Sequence, residues 1–301
     1  MKRSFFAFAV LLGCLAASAS HPLMRPRIYI LGSVRFRVLD LQKSRDFYQK
    51  TFQIGAVRQD CFGVNTLCLE INSAQRIELI QRENSLGRDL VEQVGFRTYN
   101  LDGLRRYLIQ RGVKPGEITK DKNGNPSFSV LDAEGHGVVF LPPPLPGSYF
   151  SWPGQVSRDI IHVGFVVHNR AAMDRFYKDI LGFHLYWQGG RKDDETSWVN
   201  MQVPDGTDWI EYMLNVPDNA DHHTLGVMNH IALGVSDIKA TQEQLIKNGW
   251  KAGEEPKIGR GGKWQLNVYD PDETRVEFME FTPVQKPCCS DYTGSHPGSK
   301  Q

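Results

Sequence analysis

Neither sign of charge is in excess in this chain, and no long run of lysine and arginine occurs. The 301 residues carry 35 Lys and Arg against 34 Asp and Glu, a formal net charge of +1. No global field therefore favours nucleic acid or an anionic membrane as a partner. Hydrophobic residues make up 41% and charged residues 23% of the chain, as is typical of a globular protein.

Long apolar runs are absent after the first twenty residues. Within those twenty, two basic residues precede the apolar run Phe5 to Leu12, and Ala17-Ser18-Ala19 follows. This pattern predicts a signal peptide over residues 1–20, cleaved near Ala19, whose apolar run is too short to span a bilayer. We expect an exported protein, periplasmic or extracellular. Leu11 to Cys14 also resembles a bacterial lipobox, so a membrane is a partner only if Cys14 is lipidated.

Cysteine is scarce, with five residues, of which four follow the predicted signal peptide. An even number in an oxidising compartment permits disulfides. Cys61 and Cys68 are spaced to bridge a hairpin. Cys288 and Cys289 are adjacent in a tail rich in proline, serine and glycine, where they form either a local staple or free thiols.

The chain repeats itself. Val34–Val38 (VRFRV) matches Val163–Val167 (VGFVV) at an offset of 129 residues, and Leu108–Gly112 matches Leu245–Gly249 at an offset of 137. A fixed spacing of this kind indicates duplication of a structural unit. We predict two copies of one domain, over residues 28–142 and 159–282, joined by a linker over 143–158 and followed by a flexible tail over 283–301.

Each copy divides again into two modules. The β-branched run Ile161–Val167 predicts a strand, and the spacing of apolar residues over 171–181 predicts a helix that stops at Gly182. Three strand-like runs follow. Residues 228–281 repeat the order, with a strand over His230–Val235 and a helix over Ile238–Asn248. The predicted fold is α+β, with four βαβββ modules paired into two domains.

Two histidines and two glutamates occupy equivalent positions of the second copy. His162 and His230 open equivalent strands, and Glu211 and Glu277 lie in equivalent last strands, 49 and 47 residues further on. An ionised carboxylate among apolar neighbours is costly unless it is paired or binds a metal. Two imidazoles and two carboxylates suit zinc, nickel, cobalt, manganese or ferrous iron. We predict one divalent-metal site made of these four residues.

The first copy lacks this set. Ser33 stands at the position of His162, Gln93 at that of His230 and Val139 at that of Glu277, and only Glu78 matches a ligand, Glu211. We therefore expect no metal in residues 28–142.

These modules and their His–Glu–His–Glu quartet resemble the vicinal oxygen chelate superfamily, which includes glyoxalase I, bleomycin- and fosfomycin-resistance proteins and type I extradiol dioxygenases. Gly226–Asp237 (GVMNHIALGVSD) is similar to the second glyoxalase-type signature. Asp270–Glu277 (DPDETRVE) is similar to its Asp-Pro-Asp-Gly ending, with Glu273 where glycine is common. The resemblance implies paired, glyoxalase-like modules and an ion that chelates two adjacent oxygens of a small substrate, stabilising an enediolate or similar anion. It also implies that Glu211 or Glu277 detaches as a general base.

Three functions fit this resemblance. A metal-dependent lyase or isomerase of glyoxalase type uses all four ligand positions. An Fe(II) extradiol dioxygenase has the same two-domain architecture, but uses two His and one Glu and has a catalytic Tyr where this chain has Asn267. A non-catalytic protein that binds a small ligand is the third. The predicted export argues against a glutathione adduct as substrate, since these adducts are chiefly cytosolic. We expect a small-molecule substrate, no nucleic-acid partner, and a monomer or homodimer.

Several other side chains are open to two interpretations. The tryptophans of the second copy pack the core or line an aromatic pocket: Trp187, Trp198, Trp209 and Trp264. The segment Lys257–Lys263 is a flexible basic loop that is solvated or closes over an anionic substrate. The remaining histidines of this copy are interpreted as surface or loop residues: His168, His184, His222 and His223.

Overall fold

A computed structural model describes residues 23–82, 90–145 and 152–298 of the chain. The predicted signal peptide, with its lipobox cysteine Cys14 and its cleavage site near Ala19, lies outside the described residues. No helix in the described part is long and apolar enough to cross a membrane.

Two eight-stranded sheets, one from each copy, dominate the structure. The elements of the first copy are β1 (Ile28–Val38), α1 (Leu41–Phe52), β2 (Val57–Gln59), β3 (Thr66–Glu70), β4 (Arg76–Gln81), β5 (Val91–Thr98), α2 (Leu101–Gln110), β6 (Thr119–Lys120), β7 (Pro126–Leu131) and β8 (Gly137–Leu141). Those of the second copy are β9 (Asp159–Val166), α3 (Arg170–Asp174), a π-helical turn (Arg175–Ile180), β10 (His184–Gly189), β11 (Trp198–Gln202), β12 (Trp209–Met213), α4 (His222–Met228), β13 (His230–Val235), α5 (Ile238–Lys247), β14 (Lys257–Ile258), β15 (Trp264–Tyr269) and β16 (Arg275–Glu280).

Each sheet joins two βαβββ modules through their first strands. The strand orders are β2-β3-β4-β1-β5-β8-β7-β6 and β10-β11-β12-β9-β13-β16-β15-β14. In every module the first strand runs parallel to the fourth, and the first strands of the two modules pair antiparallel. The predicted α+β fold of four such modules, paired into two domains, is confirmed.

A side-chain cap begins the first helix of every module. The side-chain oxygens of four residues that follow the first strands accept hydrogen bonds from backbone N–H groups of the first helical turn: Asp40, Asn100, Asn169 and Asp237. Such caps satisfy donors that have no partner inside a helix. The second-copy helices stop at Gly182 (φ 80°) and Gly249 (φ 93°), as predicted, because these left-handed conformations favour glycine.

One hydrophobic core runs through both copies. Phe52 of α1 packs edge-on against Phe278 of β16 at a centroid distance of 5.1 Å, and Phe96 of β5 packs against Phe183 at 5.2 Å. All four rings are buried. Helix α1 of the first copy therefore packs on β16 of the second, and β5 of the first copy packs on the residue that precedes β10.

Helix α4 is absent from the sequence prediction, which interpreted His222 and His223 as surface or loop residues. The seven-residue helix depends on its surroundings rather than on helix propensity. Asp221 caps it by accepting a hydrogen bond from Thr224 N–H (2.7 Å), and His222 lies 2.9 Å from the carbonyl of Asp272 in the turn before β16. This turn places Glu273 in the left-handed region (φ 63°), which accounts for glycine being common there in the superfamily that the sequence resembles.

The tail beyond β16 lies against the second sheet. Backbone N–H groups of Val284 and Cys288 donate to the carbonyls of Gly262 (2.8 Å) and Arg260 (2.9 Å). Two disulfides are present, Cys61–Cys68 beside the β2–β3 hairpin and Cys288–Cys289 within this tail. Residues 283–298 thereby cover the loop between β14 and β15.

The β15–β16 turn docks on the first copy through two buried carboxylates. Asp270 accepts hydrogen bonds from the backbone N–H groups of Asp272 and Thr274 (both 2.9 Å) and from the Tyr48 hydroxyl of α1 (3.2 Å). Asp272 accepts from Leu39 N–H (3.1 Å) and pairs with Arg82 (3.3 Å). The two copies are therefore joined here by buried hydrogen bonds and an ion pair, in addition to their shared hydrophobic core.

Replacing Asp270 by asparagine is expected to remove a pH-dependent loss of stability. Burial raises the pKa of Asp270 from 3.8 to about 7, with Asp272 adding to the rise. The folded protein therefore holds this proton more tightly than the unfolded chain does, so stability is full below pH 4 and falls as the pH rises to 7. The fall in the free energy of unfolding is of the order of 4 kcal/mol.

Denaturant unfolding of Asp270→Asn from pH 4 to 8 should lack this pH-dependent fall in stability. Asp102→Asn, an exposed carboxylate, should leave the wild-type slope unchanged, and an unchanged slope in Asp270→Asn would contradict the assignment.

Candidate metal centre

The two predicted histidines extend from the two central strands of the second sheet. In the antiparallel β9–β13 pair, His162 lies opposite Ala232, and His230 lies opposite Gly164. Strand β12 adjoins β9 and carries Glu211, while β16 adjoins β13 and carries Glu277. The pseudo-symmetric pairing of the modules therefore brings all four predicted ligands to one place on the sheet.

The four side chains converge, with each carboxylate within 4 Å of both Nε2 atoms. The Nε2 atoms of His162 and His230 lie 3.1 Å apart. An oxygen of Glu211 lies 3.2 Å from His230 Nε2 and 3.9 Å from His162 Nε2, and an oxygen of Glu277 lies 3.4 Å from His162 Nε2 and 3.8 Å from His230 Nε2. Ligand atoms that share one ion at about 2.1 Å lie about 3.0–3.4 Å apart. The three distances of 3.1–3.4 Å have this spacing, and the two of 3.8 and 3.9 Å would shorten around an ion.

The hydrogen bonds of the imidazoles suit ligation. The Nδ1 atom of His230 lies 3.0 Å from the carbonyl of Met228, so it carries the proton and leaves the Nε2 lone pair directed at the centre. His162 Nδ1 is buried and has no partner among the described residues. Two Nε2 atoms and two carboxylates facing one another in a buried site are the donor set that a divalent cation satisfies.

The protonation preferences of His230 and Glu277 also suit a cation. Burial lowers the pKa of His230 well below 6.5, helped by Arg275. Burial alone would raise the pKa of Glu277, but its hydrogen bond with His162 and the nearby Arg275 lower that pKa to about 2. Burial raises the pKa of Glu211. A neutral imidazole and an ionised carboxylate are the forms that bind metal.

Gly164 leaves the space in which the His230 ring lies. A Cβ atom at this position would be 1.9 Å from His230 Cε1 and 2.4 Å from its Nδ1. The close packing of the His230 ring against the backbone of β9 therefore requires glycine at position 164. Any larger residue there would occupy the space of the ring.

Residues 159–278 match the model of the glyoxalase/bleomycin resistance protein/dioxygenase superfamily. The lactoylglutathione lyase of Haemophilus influenzae is 29% identical over 123 residues, which cover 40% of this chain and 91% of that protein. The second copy therefore carries the domain of this superfamily, as its sequence motifs predict.

Solved structures of the superfamily share the two-copy fold. A variant of homoprotocatechuate 2,3-dioxygenase from Brevibacterium fuscum superimposes with a TM-score of 0.63 at 18% identity, over 91% of this chain and 75% of that chain. The 2,3-dioxygenase LapB of a Pseudomonas species superimposes with a TM-score of 0.65 at 14% identity, over 92% of this chain and 96% of that chain. At these identities the likeness shows the fold.

In the first copy, an arginine takes the strand position that Gly164 has in the second. Strand register puts Arg35 at the position of Gly164, opposite Gln93. Its guanidinium bonds one oxygen of the buried Glu78 (2.7 Å), and Arg76 bonds the other (2.6 Å). The single carboxylate that matches a vicinal oxygen chelate ligand is thus already neutralised by two fixed cations.

Asn200 and Trp209 support the quartet, and the sequence analysis missed the role of Asn200. With its nitrogen turned towards Glu211, the Asn200 amide donates to Oε1 (2.8 Å) and accepts a hydrogen bond from the Trp209 indole (3.1 Å). The Trp209 ring stacks on His162 at a centroid distance of 4.7 Å. Asn200 faces Glu211 because they are directly paired in the β11–β12 ladder, a contact that strand register alone reveals.

A cavity of about 490 Å³ opens over Glu211 and Glu277. Trp187, Trp198 and Trp209 line it, together with Tyr292 of the tail. Trp264 packs against the hydrophobic core instead. Three of the four tryptophans therefore form an aromatic wall. The volume of the cavity suits a small cyclic or apolar group.

The basic segment before β15 also lines the cavity. Its last residue, Lys263, is 2% exposed, whereas the sequence analysis considered this segment only as a flexible loop. Burial lowers the pKa of Lys263 to about 7. No periodicity identifies a buried lysine at the end of a glycine-rich turn, because the tail that covers it is distant in sequence.

Proposed function

We propose that the chain is a metal-dependent enzyme of glyoxalase type, a lyase or isomerase that chelates the vicinal oxygens of a small substrate. The observation that carries this proposal is the position of Glu211. Its carboxylate lies 3.2 Å from His230 Nε2, so the centre has four donors. The quartet His162, Glu211, His230 and Glu277 would hold one divalent ion, which would polarise the two chelated oxygens as a Lewis acid.

Glu211 is the residue that we assign to proton transfer. It is the more exposed of the two carboxylates, at 13% of its side chain against 4% for Glu277, and it lines the cavity. Asn200 fixes Oε1, which leaves Oε2 facing the centre to take a proton from a carbon next to the chelated oxygens. Glu277 stays ionised and holds the two histidines in place.

An iron-dependent ring-cleaving dioxygenase is the second candidate. It is favoured by the two-copy fold shared with the solved dioxygenases over most of the chain. The position at which the resemblance implies a catalytic Tyr is Asn267, whose amide donates to Glu254 (2.9 Å). Tyr269, two residues on, donates its hydroxyl to the same carboxylate (3.0 Å), so both donors are engaged by Glu254. A non-catalytic ligand-binding protein is the third.

Proton exchange separates these functions. Zinc-loaded protein should accelerate the exchange of carbon-bound hydrogen of hydroxyacetone with D2O, followed by NMR. Glu211→Gln at saturating zinc should lose this acceleration by about 10²–10⁴-fold, since it lacks the base. Oxygen uptake with catechol by the ferrous protein, without exchange by the zinc protein, would establish the dioxygenase instead. Absence of both reactions would favour a binding protein.

We also propose that the protein is exported. Two features support this: the leader pattern of residues 1–20, and the two disulfides, which persist in oxidising compartments. Lipidation at Cys14 would add a membrane anchor.

A further inference from the structure

Lys263 is a buried amine that lines the cavity over the quartet. Its Nζ lies 3.2 Å from the Tyr186 hydroxyl. It also lies over the rings of Trp209 (4.8 Å), Tyr292 (5.3 Å) and Tyr186 (5.4 Å). In the described part of the chain no carboxylate forms an ion pair with it, and the carboxylate whose charge reaches it is Glu277 of the quartet. The buried amine of Lys263 is thus surrounded by three aromatic rings and one hydroxyl group.

The tail holds Lys263 in this position. Tyr292 donates its hydroxyl to the carbonyl of Gly261 (2.8 Å), and Val284 N–H donates to Gly262 (2.8 Å). The Tyr186 hydroxyl lies 2.5 Å from His296 Nδ1. The loop is therefore tied down immediately before Lys263, and strand β15 begins immediately after it.

Lys257 lines the same cavity and has the usual environment of a lysine, exposed and paired with a carboxylate. Its amine pairs with Glu254 at 3.4 Å. Burying an ammonium without a carboxylate costs free energy, and aromatic faces offset only a part of that cost. The partner that Lys263 lacks in the protein is an anion, and the cavity is the space from which one can reach it.

We propose that Lys263 binds a carboxylate of the substrate, carried outside the two oxygens that the metal chelates. This rests on the proposed function. The Lys263 ammonium matches the single charge of a carboxylate, while the Tyr186 hydroxyl, bonded to His296, holds the amine from behind. The aromatic walls suit a flat ring or short apolar spacer between the carboxylate and the chelating pair. The substrate class is therefore a small carboxylated chelator, and Tyr186 and His296 are positioning residues.

Two chelators that differ only in a carboxylate test this assignment. Catechol and 3,4-dihydroxybenzoate are titrated into zinc-loaded protein by calorimetry, zinc being inert to their oxidation. Wild type should bind the carboxylated chelator at least about tenfold more tightly, the factor expected of one hydrogen bond to a charged group. Lys263→Met, which fills the aromatic box with an unbranched apolar chain, should lose this preference. It should keep its zinc content and its catechol affinity within about twofold.

The control is Lys257→Met, which makes the same change at a paired amine of the same cavity and should keep the preference. Equal affinity of wild type for both chelators, or a preference that survives in Lys263→Met, would overturn the assignment while leaving the metal centre intact. Wild type that retains no zinc would instead remove the proposed function, and the carboxylate site with it.

Discussion

Replacing His162 by alanine is expected to abolish the thermal stabilisation that zinc gives to the wild type. His162 supplies the nitrogen nearest to both His230 (3.1 Å) and Glu277 (3.4 Å), so its loss removes one ligand and the partner of another. A ligand that binds only the folded state stabilises it by about 2.7–4.1 kcal/mol at 100–1,000 times its Kd. For a chain of this size that corresponds to a rise in Tm of roughly 5–15 °C.

Differential scanning calorimetry with and without zinc measures the rise, and Glu277→Gln should reduce it in the same way. His184→Ala is the matched control, because His184 bonds Gln202 (3.0 Å) away from the quartet. It should retain the full rise. A zinc-dependent rise that persists in His162→Ala would show that the ion binds elsewhere.

The substitution Gly164→Ala is expected to weaken zinc binding although it leaves all four ligands in place. One methyl group would lie 1.9 Å from His230 Cε1, a distance that forces the ring or the strand to move. Because the His230 ring is fully buried over Gly164, it can move only by displacing its neighbours. Displaced ligand geometry should reduce zinc affinity about tenfold to hundredfold or more, as measured by competition with a chromophoric chelator.

Gly253→Ala is the control, because a Cβ there meets nothing within 4 Å and its φ is not positive. Its zinc affinity should equal that of wild type. Unchanged affinity in Gly164→Ala would mean that the His230 ring does not hold the position described here. The same steric argument explains the first copy, where Arg35 takes this position and its guanidinium pairs with Glu78.

The quartet could be predicted from the sequence because duplication supplies an internal alignment. His162 and His230 open strands of matching pattern, and Glu211 and Glu277 close modules of matching length, so module equivalence implies spatial proximity. The strands themselves were predictable because alternating apolar residues mark a strand buried on one face, and continuous apolar runs mark a strand buried on both. The paired module order then followed from the repeat and from the family resemblance.

Lys263 and α4 could not be predicted because each depends on contacts between distant segments, and the role of Asn200 could not because it depends on the register of β11 and β12. Lys263 is buried by Tyr186 and the tail residue Tyr292, and a glycine-rich basic segment gives no local sign of this. Helix α4 is stabilised by the turn before β16. These features are set by tertiary packing, which outweighs local propensity.

Anomalous diffraction at the absorption edge of the bound metal tests the central claim most directly. We predict one peak per chain, about 2.0–2.2 Å from Nε2 of His162 and of His230 and from one oxygen each of Glu211 and Glu277. A peak in the first copy, a peak away from these four atoms, or no peak in crystals grown with saturating zinc would contradict the account.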